Sequence, residues 1–245
     1  MFGKLFSKSS FGLEISNGTL KFIELISNKN GFKLGRYGER PILLDAKLGG
    51  IKNFRQVDEF FSIFKQKEKI KMVHLSLPDG EIKNKEQYLS FFNRSGLKIK
   101  SFESSGQAIK RAVVKNGDMR TYMIVSSDKD KSNIWITSKG VLTHSITISS
   151  NVHFLHDEVA KSFLNWHLYK NKEGVKNPSI EKIILCGDGS DLVQLAEYLS
   201  VNLRHKVELA NVWVNILDTK EHIPEISFKQ SLSFAATIGA ALKGF

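Results

Sequence analysis

Cysteine is nearly missing from this 245-residue chain: Cys186 stands alone, cannot close an internal disulfide, and suits a reducing compartment. Proline is scarce, with four in all, and there is no low-complexity tract, so neither a disordered nor a collagen-like chain is indicated. No apolar run approaches the roughly eighteen residues that mark a membrane-spanning helix. The opening MFGKLFSKSS has lysines but no apolar h-region, and the expectation is of no secretory signal. Acidic residues are outnumbered, 25 against 36 basic, for a formal charge of +11 that favours an anionic neighbour. Arginine-rich blocks and aromatic-basic interleaving are both wanting, so no nucleic acid is expected as a partner. Lysines spread through KQKEKIK (65–71), LKIK (97–100) and DKDK (128–131) read as a solvated surface.

What is present is a globular composition, 41% hydrophobic, long enough for one large domain or two smaller ones. The stretch FGLEISNGTLKFIEL (11–25) sets two apolar runs about SNGT, a turn whose Gly18 can take a positive φ. Such a hairpin gathers the Asn17, Gly18 and Thr19 amides and the Ser16 and Thr19 hydroxyls at one strand end, where phosphate oxygens can be cradled. The plainer alternative is that SNGT is only a good turn.

The tail before residue 11, with Phe2, Leu5 and Phe6, reads as disorder or a short membrane-grazing turn. FKLGRYGE (32–39) is a third, antiparallel strand, and 41–50 a connecting loop. Val57, Phe60, Phe61 and Phe64 share one face of a helix over 54–67. KMVHLSLP (71–78) is a strand, followed by a short helix capped by Asn84 and closed by Gly96. LKIKSF (97–102) is the next strand, and Gly106–Lys115 is helical. The order then restarts. RTYMIVSS (120–127), NIWITS (133–138) and LTHSITIS (142–149) are three meandering strands. A helix capped by Asn151 follows, then a buried parallel strand IEKIILCG (180–187), a helix about 192–203, the strand HKVELA (205–210), and a closing helix Ser231–Lys243 rich in small residues. Three strands, then helix–strand–helix–strand, thus appear twice. The fold class expected is α/β, two related domains with a cleft between them. Ligands in such sheets sit at strand ends beside helix N-termini.

Three segments in this order, FGLEISNGTLKFIEL, CGDGSDLVQLAEYLS (186–200) with VELANVWVNI, and FAATIGAALKGF (234–245), resemble PilM. PilM is an actin-like, FtsA-related protein of type IV pilus assembly, and the cytoplasmic domain of GspL is similar. The resemblance implies an actin-like ATPase (ribonuclease H-like) fold, with residues 1–115 and 232–245 as the first domain and 116–231 as the second. It implies ATP with Mg2+ in the cleft. Glu14, Ser16, Asn17, Gly18, Thr19 and Lys21 would form the first phosphate hairpin, Gly187, Gly189 and Ser190 the adenosine motif, and Gly239 the small residue of the closing helix. It also implies a cytoplasmic place at the inner face of the membrane, beside anionic lipid. The partner there would be the cytoplasmic N-terminal segment of a PilN-like single-span protein, with other pilus or secretion platform proteins.

Two departures qualify this. Where the second phosphate loop should read Asp-x-Gly, this chain has Ser126 and Asp128, and a carboxylate there repels phosphate, although Lys129 and Lys131 offset part of it. Only DGEIKNK separates strand 71–78 from the next helix, so the family's inserted subdomain reads as missing. The expectation is a scaffold with a degenerate nucleotide pocket. The alternatives are an ATPase or small kinase-like enzyme, whose only base candidates are Glu103 and Gln107, and a nucleic-acid-binding protein. His153, His156 and Asp157 share a helix face but lack further ligands, so no metal is expected there. Cys186 reads as a core residue, and packing is the default for Trp135, Trp166 and Trp213.

Overall fold

A computed structural model describes residues 8–16, 18–29, 31–42, 44–45, 50–51, 70, 72–129, 131–149, 155–168, 174–189, 191–216 and 224–245. Asn17, Ser190, the expected tail residues Phe2, Leu5 and Phe6, the helix expected at 54–67, Asn151 and His153 lie outside the described residues.

The opening hairpin joins β1 (Lys8–Ser16) to β2 (Thr19–Asn28), with Ser16 paired to Thr19 across the turn. Gly18 takes φ +69°, which a two-residue hairpin loop asks of its glycine. β3 (Gly31–Pro41) adds antiparallel to β2. β6 (Met72–Leu77) and β7 (Lys98–Ser104) add in parallel on the far side of β1, giving the order β3-β2-β1-β6-β7. The second sheet repeats the plan: β8 (Thr121–Ser127), β9 (Lys131–Ser138) and β10 (Val141–Ser149) meander. β11 (Ile180–Cys186) and β12 (Val207–Leu209) then run parallel, in the order β10-β9-β8-β11-β12. The turn into β10 places both Lys139 and Gly140 at positive φ, 51° and 75°, the twist-matched hairpin geometry.

Helices cover the sheets. α1 (Lys85–Arg94) follows a 3-10 helix at Asp79–Asn84, so Pro78 and that helix alone join β6 to α1. α2 (Ser105–Val113) begins at Ser104, whose hydroxyl accepts from the Gln107 amide. α3 (Leu155–Leu168) and α4 (Leu192–Leu203) pack on one another, and α5 (Phe228–Leu232) and α6 (Ala235–Leu242) end the chain. One face of the first sheet buries Leu13, Ile15, Leu75 and Leu77 against Tyr88 and Phe92. Its other face, with Ile23 and Leu25, meets α2 and α6 in a core continuous with the second sheet. α6 lies at backbone contact: a Cβ on Gly12 would stand 2.0 Å from the Thr237 carbonyl oxygen, and one on Gly239 1.7 Å from that of Ala108.

Three expectations need correction. The 41–50 stretch holds a small antiparallel pair, β4 (Leu44–Asp45) with β5 (Gly50–Ile51), where a plain loop was expected. The tail expected before residue 11 is strand from Lys8 onward, as the start of β1. The closing helix is not continuous. It breaks at Ser233–Phe234 because the Leu232 and Ser233 carbonyls, which a continuous helix would use internally, accept from Gly187 N and Lys21 Nζ across the junction.

Candidate functional site

The hairpin register places Glu14 directly opposite Lys21, both pointing toward α6 and both buried. β8 and β11 are paired so that Ser126 lies beside Cys186, and two residues on from each come Asp128 and Asp188. Four charged side chains, three carboxylates and one ammonium, therefore gather where the two sheets meet. Glu14 accepts from Ser16 Oγ at 3.1 Å and from Thr237 Oγ1 at 3.2 Å. Lys21 Nζ donates to the Ser233 carbonyl at 3.0 Å and stands 3.7 Å from Asp188 Oδ2. Asp128 accepts from Ser126 Oγ at 3.3 Å and from the Asp188 amide at 3.4 Å.

The electrostatics follow from crowding three carboxylates about one cation. Burial and the Glu14 and Asp188 charges push Asp128 up to about 7, with Lys21 only partly offsetting them. Glu14 is raised, chiefly by burial, against the pull of Lys21. For Lys21 burial favours the neutral amine, yet Glu14, Asp188, Asp128 and Glu39 outweigh it and raise its pKa. The flanking lysines of DKDK do not figure among the main influences on Asp128, so the offset expected of Lys129 and Lys131 is supplied by Lys21.

The backbone around this cluster is engaged. Gly187, at φ +110°, donates to the Leu232 carbonyl at 3.1 Å, and Gly189 donates to the Ser127 carbonyl at 2.9 Å. A Cβ at Gly187 would fall 2.3 Å from the Ser127 carbonyl oxygen, so the glycine lets two loops touch. Beside them opens a cavity of about 450 Å³, walled mainly by Leu192, Val193, Leu209, Phe228 and Leu232. Gly18 and Thr19 stay at the hairpin tip, where the Gly18 carbonyl accepts from Ile42 N at 2.7 Å. Gly239 is not among the cavity residues; it faces α2, and its carbonyl accepts from Arg111.

The junction has a second tie that the sequence reading missed. Asp79, at the start of the 3-10 helix, accepts from Trp135 Nε1 and from Ser145 Oγ, each at 2.8 Å, and from the Gly106 amide at 3.4 Å. Its partners lie up to 66 residues away, with no local pattern to betray them. Glu103, a base candidate from sequence, is held by both guanidinium nitrogens of Arg111 at 2.6 Å and by Lys243 at 3.4 Å, which makes it a structural ion pair. Burial lifts the Cys186 thiol well above its usual range, as suits a packed core residue. Among the described residues no set of acids, histidines and cysteine could hold a metal, and no helix is long and apolar enough to cross a membrane.

No protein-family model and no curated protein sequence matches the chain. Solved structures do. The chain is similar to one from a PilM–PilN type IV pilus biogenesis complex at 15% identity and a TM-score of 0.70, over 96% of this chain and 98% of that one. It is similar to the ethanolamine utilization protein EutJ of Carboxydothermus hydrogenoformans at 13% identity and a TM-score of 0.61, over 96% and 89%. The ADP-bound MreB5 of Spiroplasma citri gives 12% identity and a TM-score of 0.57, over 95% of each chain. At such identities the likeness concerns the fold: two related five-stranded sheets in the actin-like ATPase arrangement.

Proposed function

We propose that this actin-like chain is a docking scaffold of the PilM kind, working through its surfaces and not through ATP turnover. It sits in the cytoplasm at the inner face of the membrane, where its charge of +11 suits anionic lipid, and binds the cytoplasmic N-terminal segment of a PilN-like single-span protein. Residues 1–115 with 232–245 form one unit and 116–231 the other; the packing of α6 on β1, β2, β6 and α2 supports this division.

The observation that carries the reading is the engagement of the polar end of the cleft by the chain itself. ATP with Mg2+, the group this fold implies, would set its base in the cavity beside Gly187 and Gly189 and its phosphates between the Ser16–Thr19 hairpin and the Ser126–Asp128 loop. The first half of that fit is good, since the cavity is apolar, of suitable size and lined by glycines. The second half is not. Phosphates would arrive among Glu14, Asp128 and Asp188, the cluster's own cation Lys21 already faces Asp188 and the Ser233 carbonyl, and the Gly187 and Gly189 amides already have acceptors. This acid-rich cluster offers a polyanion no free cation and repels it wherever its carboxyl groups are ionised. The one observation that favours the alternative, an actin-like ATPase or small kinase-like enzyme, is the open base-side cavity.

The test is calorimetric titration of the purified chain with the N-terminal cytoplasmic segment of a single-span membrane protein encoded beside it. Saturable binding without nucleotide is expected. Binding that requires ATP, or steady phosphate release, would overturn the reading.

A further inference from the structure

At the end of the first sheet remote from the charged cluster, where β1 and β6 begin, lies a groove of about 460 Å³. We propose that this groove binds an acidic peptide segment, seating a carboxylate against the edge of the His74 ring between Lys8 and Lys100.

His74 supplies the geometry. It is buried, and its Nδ1 pairs with Ser101 Oγ at 2.7 Å. Among the described residues no hydrogen bond reaches its Nε2, and the residue lines the groove. Gly244 packs beside this ring edge, where a Cβ would stand 3.1 Å from Nε2, so any larger residue there would crowd it. In the tautomer where the Ser101 hydroxyl donates to Nδ1, the neutral ring carries its proton on Nε2 and offers it to an incoming oxygen.

The charges around the ring supply the sign. Burial, then Lys100, with Lys243 and Arg111 behind it and Glu103 opposing, hold His74 down at about 4. Glu103 is held by Arg111 and Lys243, so Lys100 keeps no carboxylate partner among the described residues. Lys8 lies over the Phe245 ring, 5.2 Å from its centroid, and likewise lacks a described acid partner. Among the described residues Glu24 is the one acid in the lining, and Arg36 holds it at 2.7 Å. Among the described residues the groove therefore presents two cations and one ring donor, with its acid already paired.

Shape selects the class of partner. Phe11 and Ile70 are buried at the groove wall while Met72 is exposed at its lip. A recess joining apolar wall to cationic rim suits an extended segment with an acid beside an apolar residue. A bilayer needs a surface that protrudes. This inference deepens the docking reading by naming the chemistry of what docks.

The experiment uses the full chain in a histidine-edited NMR titration, with the His74 resonance assigned by its loss in His74→Gln. Hexaglutamate is one probe, and phosphatidylglycerol vesicles are the other. Hexaglutamate is expected to shift the His74 signal saturably and to raise its pKa by about one unit, as a nearby anion must. Lys100→Glu should weaken that binding about tenfold or more, whereas Lys176→Glu, an exposed lysine elsewhere, should leave it within about twofold. No shift at His74, equal losses in both variants, or a shift with vesicles alone would overturn the site. A His74 response to hexaglutamate with no binding of any membrane protein's tail would keep the groove and sink the wider scaffold reading.

Discussion

The apolar cavity and the charged cluster are made by neighbouring loops, yet they are finished differently. At the Phe228 end the glycines of the loop after β11 leave an apolar hollow of about 450 Å³. At the Lys21 end the same loop turns inward: Asp188 faces Lys21, Gly189 binds the Ser127 carbonyl, and Gly187 reaches Leu232. A cleft of this fold can thus keep its architecture at both ends while its polar end fastens the two halves together with side chains of the chain itself.

Removing the one cation should give the largest effect. Lys21→Met leaves Glu14 buried without a counter-charge, and breaking a buried pair in this way costs about 3–5 kcal/mol. Urea unfolding should show the loss, and a cost under about 1 kcal/mol would mean that the cluster does not hold the halves. Next is a pH effect at Asp128. Its folded pKa of about 7 lies above the ordinary 3.8, so the folded state binds the extra proton between those values, and that contribution fades as pH rises from about 4 to about 7. Asp128→Asn should remove this slope, gaining about 1–2 kcal/mol on the parent by pH 8 after allowance for partial solvent screening. Parallel stability curves for the two proteins across that range would contradict the assignment. The smallest effect belongs to the open end. Phe228 is 55% exposed, and Phe228→Ala should change stability by less than about 0.5 kcal/mol. A larger loss would show that the hollow is braced as firmly as the polar end.

The sheets were legible because their signals are local. SNGT and the Lys139-Gly140 pair mark turns, and the apolar run IILC (183–186) marks a buried strand, so the repeated three-plus-two order can be read from punctuation and run length. Half of the charged cluster is legible too, since a two-residue hairpin must set Glu14 against Lys21. The rest depends on partners distant in sequence. SLSFAATIGAALK carries nothing that would break a helix, and it breaks because Gly187 and Lys21 claim its carbonyls. Asp79 reads as an ordinary helix-start acid until Trp135 and Ser145 are brought to it. Gly239 shows the reverse case: its small size is plain in the sequence, but the structure directs it to α2 and away from the cavity.

The most direct measurement compares the melting temperature of the chain with saturating adenosine and with saturating ATP and Mg2+. A ligand present at a hundred times its Kd adds roughly 2.7 kcal/mol of stability, so phosphate recognition would be plain as an upward shift. The closed polar end leads us to expect that ATP with Mg2+ stabilises no more than adenosine does. A rise of several degrees beyond the adenosine value would contradict the account.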